Sequence, residues 1–293
     1  MFIRDMLKNN RATVSCELFP PKDEWNMERA EALVGATAAF NPDFISVTCG
    51  ASGSNSKNTL AMAECIKQSG AVALAHLTCV CCSKDEVIGL ISNLKEAGIK
   101  NILALRGDIP QGYALTGNSH FKYASELVDV IKNFGGFSIG AACYPEGHVS
   151  SASQQEDLLH LKAKADAGCD FLTTQMFFDN NILYRFLYKI RELGINIPVL
   201  AGIMPVTNKK QISRIVELSG TALPSRFLSI LDKFGDDQKA MEQAGIAYAT
   251  EQIIDLLANG VRGIHIYTMN KPEIARAIMQ NISFIIRQVR LCG

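Results

Sequence analysis

The sequence predicts a single (β/α)8 barrel spanning residues 1–293. Three observations carry this expectation. Short apolar, β-branched runs recur eight times, each followed by an amphipathic stretch. No linker, low-complexity tract or break in composition divides them. No Gly-rich GxGxxG follows the first run, as an open dinucleotide-binding sheet would require.

The first strand is expected at 13–19, "TVSCELF", and Pro20-Pro21 ends it abruptly. The second and third follow at 44–49, "FISVTC", and 73–79, "ALAHLTC". After them "SKDEVIGLISNLKEAG" reads as a helix, with Ser83 as N-cap, Glu86 three residues on, and Gly98 at its end. The fourth and fifth strands are expected at 101–106, "NILALR", and 138–144, "SIGAACY". "SQQEDLLHLKAKADAG" repeats the helix signature with Ser153, Glu156 and Gly168. Strands six, seven and eight are expected at 171–178, 198–204 and 263–269. The helical stretch after strand seven is long and broken, and "LPSRF" starts its second piece.

Hydrophobic residues make up 48% and charged residues 20%, which supports a large core and excludes disorder. Lys+Arg and Asp+Glu both total 29, and this balance excludes a general nucleic-acid binder. No apolar run reaches the roughly 18 residues of a membrane span. The charged start, "MFIRDMLKNNR", lacks an apolar signal core. Nine cysteines, most in strand-like runs, read as reduced thiols of a cytoplasmic protein.

In such barrels the reactive groups lie at the C-terminal strand ends. Polar residues concentrate there: Glu17, Thr48, His76 and Thr78, Arg106 and Asp108, Tyr144 and Glu146, Gln175, and Tyr267 and Asn270. Any one of them could be a hydrogen-bonded core residue. Together, on most of eight strands, they point to a site. An acid in an apolar mouth should have its pKa raised by desolvation, which suits Glu17 to general-acid work; the plain alternative is an ion pair across neighbouring strands. "LALRGDIP" brackets Gly107 with Arg106 and Asp108, so the backbone can approach a ligand that Arg106 bonds. "CVCC" at 79–82 lacks zinc-like spacing, and small soft residues packing against a flat ligand are the preferred reading; no metal is expected. Lys162 and Lys164, with His148 and Asp157, could hold a dinucleotide's pyrophosphate and ribose without a Rossmann fingerprint.

The ordered set "CELFPPK", "SVTCGASGS", "AHLTC", "LALRGDIP", "AACYPEGH", "LKAKADAG", "TTQMFFD", "AGIMPV" and "IHIYTMN" resembles the short, catalytic-domain-only methylenetetrahydrofolate reductases of bacteria. That resemblance implies one FAD-containing barrel that reduces 5,10-methylenetetrahydrofolate to 5-methyltetrahydrofolate. Glu17 matches the general acid that assists imidazolidine ring opening. Asp108 matches the carboxylate touching pterin and flavin, whose charge would stabilise the iminium. Gln175 matches the pterin hydrogen-bonding residue, and Lys271 stands where an Arg binds folate. Thr48, Cys49, Ala51, His76, Arg106, Gly107, Asp108, Tyr123, Ala124, Tyr144, His148, Asp157, His160 and Lys164 fall on flavin-contacting positions.

The chain also departs from the enterobacterial pattern. Cys49 replaces a Tyr beside the flavin, His160 an Asn, and Ala163 an Arg in the phosphate-binding helix, leaving Lys164 more of that role. "QISRIVELSG" offers no aromatic where a Phe lies near nicotinamide and folate. The electron donor therefore stays open between NAD(P)H and a companion subunit carrying iron–sulfur or zinc centres, in a homo- or hetero-oligomer. A pterin-binding methyltransferase barrel without flavin is the non-redox alternative.

Overall fold

The computed structural model describes residues 1–8, 11–21, 26–50, 56–109 and 121–292. Eight parallel strands close in sequence order, and the last pairs back onto the first. They are β1 Thr13–Leu18, β2 Phe44–Val47, β3 Ala73–Thr78, β4 Asn101–Leu105, β5 Ser138–Cys143, β6 Phe171–Thr174, β7 Val199–Ile203 and β8 Gly263–Tyr267. Around them lie α1 Ile3–Leu7, α2 Met27–Ala38, α3 Ser56–Gln68, α4 Lys84–Glu96, α5 Ala124–Phe134, α6 Gln154–Asp166, α7 Asn180–Glu192, α8 Lys209–Ser219, α9 Ser225–Phe234, α10 Gln238–Ala258 and α11 Pro272–Cys292. The barrel expected from the sequence is the barrel observed.

The strands end earlier than expected. Thr48, Arg106, Tyr144 and Gln175 each stand one residue beyond a strand rather than in its last position. Strand six differs most, stopping at Thr174 where the sequence suggested residue 178. Two side chains of α10 capture its continuation: Gln252 Nε2 donates to Phe177 O (2.9 Å) and the Tyr248 hydroxyl to Phe178 O (2.6 Å). The chain is thereby drawn outward onto α10 instead of lengthening the ladder with β7.

The caps read from sequence form as expected. Ser83 and Glu86 make a reciprocal capping box on α4, and Gly98 closes that helix with φ 72°. Ser153 caps α6 through Glu156 N–H (3.1 Å), but Glu156 turns its carboxylate to Ala152 N–H (2.6 Å), so the box is only half made. The broken stretch after β7 holds three helices rather than two, and Pro224 of "LPSRF" is the N-cap of α9.

Alternation along each strand sorts side chains into two sets. Val14, Cys16, Leu18, Ile45, Val47, Ala75, Leu77, Ile264 and Ile266 face the helices in one large core. The opposite parity fills the barrel in layers. Its floor is apolar: Phe44, Leu74, Leu103, Phe171 and Leu200 pack against Ile3 of α1, which plugs the N-terminal end. Ile3 N–H donates to Asn101 Oδ1 (2.8 Å), so the plug is bonded as well as packed. Gly140 makes room for the Phe171 ring and Gly263 for Leu200. Above the floor the layers turn polar, with Ser15, Ser46, His76 and His265, then Glu17 and Tyr267. No helix among the described residues is long and apolar enough to cross a membrane.

Candidate active site

Glu17 is the penultimate residue of β1, and parity turns its carboxylate inward. Its Oε2 lies 3.6 Å from His76 Nε2 on β3 and 3.5 Å from His265 Nε2 on β8. These are ion-pair distances rather than tight hydrogen bonds. The acid expected in an apolar mouth therefore sits between two imidazoles, while the ladder neighbours of Glu17 are Ser46 and Tyr267.

The sequence reading passes over His265, Ser15 and Ser46. Their signal was the period of two that also selects Glu17 and Tyr267. His265 Nδ1 is 2.7 Å from Ser15 Oγ, and its Nε2 is 3.5 Å from Ser46 Oγ. Ser15 Oγ can also donate to Ile264 O (3.2 Å). The ring therefore has two consistent states: Nδ1–H donating to Ser15 with Nε2 as acceptor, or Ser15 donating to Nδ1 with Nε2–H facing Glu17. The Tyr267 hydroxyl donates to Thr174 O (2.6 Å), and burial, then the Glu17 carboxylate, raise its pKa. Gly202 on β7 leaves the space that the Tyr267 ring occupies.

Among the described residues, His76 Nε2 is buried without a hydrogen-bond partner. Burial pushes the His76 pKa down from 6.5 to about 4, the Glu17 carboxylate pulls it up, and His265 pushes it down further. The folded chain thus binds fewer protons than the unfolded chain in that interval. The resulting stability is fully present above pH 6.5 and is lost as pH falls through about 4. At 1.36 kcal/mol per pH unit the loss is roughly 3 kcal/mol. His76→Gln should flatten the fall of the urea midpoint over this interval, and an unchanged profile would remove His76 as its cause.

A cavity of about 560 Å3 opens at the C-terminal rim of the barrel. Cys49 and Thr78 form one wall, the Arg106–Gly107–Asp108 turn another, and Tyr123, Ala124, Tyr144, His148, Asp157, His160 and Lys164 the rest. Eleven of the fourteen residues expected at a cofactor thus line one chamber. His76 is not on its wall but faces Glu17, and Thr48 is not on it either: its backbone bonds Leu18 O and the Thr59 hydroxyl. Ala51 lies outside the described residues.

The chamber is built by local bonds. The N–H groups of Cys79 and Val80 donate to Arg106 O (3.2 and 2.8 Å), so the "CVCC" turn supports the Arg106 turn. Gly107 has φ 83°, which a side chain would disfavour. No group of three or more His, Cys, Asp or Glu that could hold a metal occurs among the described residues. Tyr144 meets His148 edge-on (4.6 Å), and burial pushes its pKa up to about 12. Tyr123 stacks on His160 (4.8 Å) across the rim. Lys164 is buried, donates to Ala142 O (2.5 Å), and has its pKa lowered chiefly by burial. Burial raises the pKa of Asp157, against the pull of Lys164, His148 and His160.

Gln175, just past β6, turns its Oε1 to Met176 N–H (3.0 Å). Lys271, just past β8, donates to the Thr207 hydroxyl (3.0 Å). Because β8 closes onto β1, Lys271 and Glu17 share a side of the mouth although they stand near opposite ends of the sequence.

Fold and site together define a (β/α)8 barrel with a half-buried acid, two buried histidines and a rim chamber. The sequence profile of the Methylenetetrahydrofolate reductase family matches residues 2–283, and the chain belongs to that family. It is 33% identical to the 5,10-methylenetetrahydrofolate reductase of Pectobacterium carotovorum over 93% of this chain and 90% of that protein. With the Escherichia coli protein of the same name it shares 34% identity over 92% and 90%. With Methylenetetrahydrofolate reductase (NADH) 1 of Arabidopsis thaliana it shares 33% over 97% of this chain, and it spans half the length of that plant relative. Among solved structures, an uncharacterised Clostridium thermocellum protein that binds two copies of 5-methyl-5,6,7,8-tetrahydrofolic acid superposes with a TM-score of 0.68. It covers 99% of both chains at 13% identity, a likeness of fold.

Proposed function

We propose that this chain reduces 5,10-methylenetetrahydrofolate to 5-methyltetrahydrofolate as one FAD-binding unit, with Glu17 as general acid. The observation that carries this reading is the Glu17 carboxylate between His76 and His265, at the same C-terminal end of the barrel as the rim chamber. Family membership supports the reaction class.

The residues present fit a flavin dinucleotide. The chamber's volume falls within the roughly 300–1,000 Å3 of cofactor sites. The cation of Arg106 and the spare N–H donors of Lys164 suit phosphate, and the positive φ of Gly107 permits close backbone approach. When bound, the flavin supplies the hydride.

The chain's own groups divide the remaining work. Glu17 delivers a proton to the folate ring nitrogen that departs as the imidazolidine opens. With Ser15 donating to its Nδ1, His265 can turn Nε2–H toward the Glu17 carboxylate and hold it in place, and the spent proton returns from water at the mouth. The carboxylate of Asp108, exposed at the chamber edge, stabilises the cationic iminium. Gln175 and Lys271 supply a pterin hydrogen bond and a charge for folate carboxylates. These groups and Glu17 lie along β6, β8 and β1, whereas the cofactor residues follow β2 to β5, so the two ligands occupy opposite sides of the mouth.

For the electron donor, a partner protein is the second reading. No aromatic residue stands on α8, and the nearby rings are committed to one another: Phe178 stacks on Phe227 (5.2 Å), which meets Tyr248 (4.8 Å). A ring free to sandwich nicotinamide is what direct reduction would use.

The absorption spectrum of the purified protein tests both readings. A flavin spectrum bleached anaerobically by methyltetrahydrofolate is expected. A colourless protein that ignores added FAD overturns the proposal and favours the methyltransferase alternative. Anaerobic mixing with NADH or NADPH then decides the donor: rapid bleaching excludes the need for a partner.

A further inference from the structure

The exit of β8 is held in a conformation that local preference opposes. Met269 and Asn270 both adopt left-handed backbone, φ 52° and 56°, and neither is glycine. Asn tolerates that region, whereas a Met with its Cβ rarely enters it. Strain of this kind persists only where surrounding bonds over-determine it, and it clusters at functional sites.

Here the bonds are visible. Asn270 Oδ1 accepts Phe19 N–H (2.9 Å), and Asn270 Nδ2 donates to Phe19 O (2.8 Å). The side-chain amide thus plays the part of a peptide group and adds a rung to the β1–β8 ladder beyond the pair Glu17–Tyr267. The Thr268 hydroxyl donates to Glu17 O (2.6 Å) and accepts Asn270 N–H (3.1 Å). Glu17 is therefore held at its own carbonyl and again two residues on. Pro20 and Pro21 follow immediately and bring no N–H with which to extend the ladder.

We propose that Asn270 is a positioning residue for the proton donor: its left-handed amide clamp on Phe19 sets where the Glu17 carboxyl sits between His76 and His265. The proposal rests on the reading of Glu17 as the acid. The clamp acts through the backbone of β1, so its loss should affect the protonation step rather than folate affinity.

Asn270→Gly is the discriminating variant, because glycine keeps the positive φ and deletes only the amide. In the protein without flavin, hydrogen exchange of the peptide spanning residues 16–21 should speed up at the Phe19 amide. In the flavoprotein, anaerobic reoxidation of the photoreduced enzyme by methylenetetrahydrofolate should slow about 10- to 100-fold at saturating folate, the scale of an ångström-sized misplacement. The half-saturating folate concentration should stay the same. In a Glu17→Gln background, Asn270→Gly should cost nothing more.

A full additional loss in that background, or an unchanged reoxidation rate despite faster Phe19 exchange, would overturn the proposal. Unchanged exchange would overturn it as well. If Asn270→Gly fails to fold, Thr268→Val removes the other half of the clamp and should give the same rate loss with unchanged folate affinity; an unchanged rate there overturns it. If Glu17→Gln alone keeps full folate reduction, the acid reading falls, and the exchange result still reports the clamp separately.

Discussion

If Glu17 is the acid proposed above, Glu17→Gln should retain the flavin spectrum and lose folate reduction by about 10²- to 10⁴-fold, the span of a general acid's contribution. The amide preserves size and can still donate a hydrogen bond, but it has no proton to release to a leaving nitrogen. Its neighbours explain why the fold should survive. Oε2 makes two contacts at 3.5 and 3.6 Å, both with imidazoles that have neutral states. No Lys or Arg pairs with Glu17 among the described residues, so no buried cation is stranded by the change. Stopped-flow reoxidation of the reduced flavin by methylenetetrahydrofolate measures the loss. Undiminished turnover would show that protonation comes from elsewhere and that the two histidines serve another purpose.

Gly202→Ala destabilises the barrel, although alanine is the smallest residue that could replace it. A Cβ at this position would lie 2.4 Å from Thr174 O, 2.7 Å from Tyr267 Cε2 and 2.8 Å from Tyr267 Oη. None of these can step aside cheaply. Thr174 O belongs to β6 and accepts the Tyr267 hydroxyl, and the Gly202 N–H itself donates to Thr174 Oγ1 (2.8 Å). Overpacking of this kind costs about 1–3 kcal/mol, and the melting temperature should fall by several degrees. Tyr267 pairs with Glu17 across the ladder, so folate turnover should drop with stability. Gly35→Ala on α2 is the control: nothing lies within 4 Å of its added Cβ, and replacing a helical glycine by alanine should stabilise by up to about 1 kcal/mol. Thermal melts of both variants should move in opposite directions, and a melting temperature unchanged in Gly202→Ala would mean that β6 and β8 yield more easily than their bonds suggest.

The strands were legible because each is a compact apolar run, and Ser83, Glu86 and Gly98 marked a helix whose bonds are local in sequence. The end of strand six was not, because what stops it is Gln252 and Tyr248, more than 70 residues away. The short α1 was missed for a related reason: five residues carry little periodicity, and Ile3 matters only as a plug for a floor made by other strands. At the site, Glu17 and the "LALRGDIP" turn announced themselves through proline and glycine at fixed offsets. His265 did not, being one histidine in an ordinary strand. Its meaning comes from barrel closure, which sets β8 against β1 and brings Ser15, Glu17 and His265 together. The role expected of Lys164 was also incomplete, since its ammonium already serves the Ala142 carbonyl.

The apolar floor makes the barrel blind-ended. Ile3, Phe44, Leu74, Leu103, Phe171 and Leu200 form an apolar layer beneath the Ser15–His265–Glu17 group. On the reading of Glu17 as the acid, the mouth is the open route by which a spent proton would return, past whatever ligand occupies it. Turnover would then be self-timing: folate seated over Glu17 would shield the acid from solvent water, and the acid would recharge as the product departs.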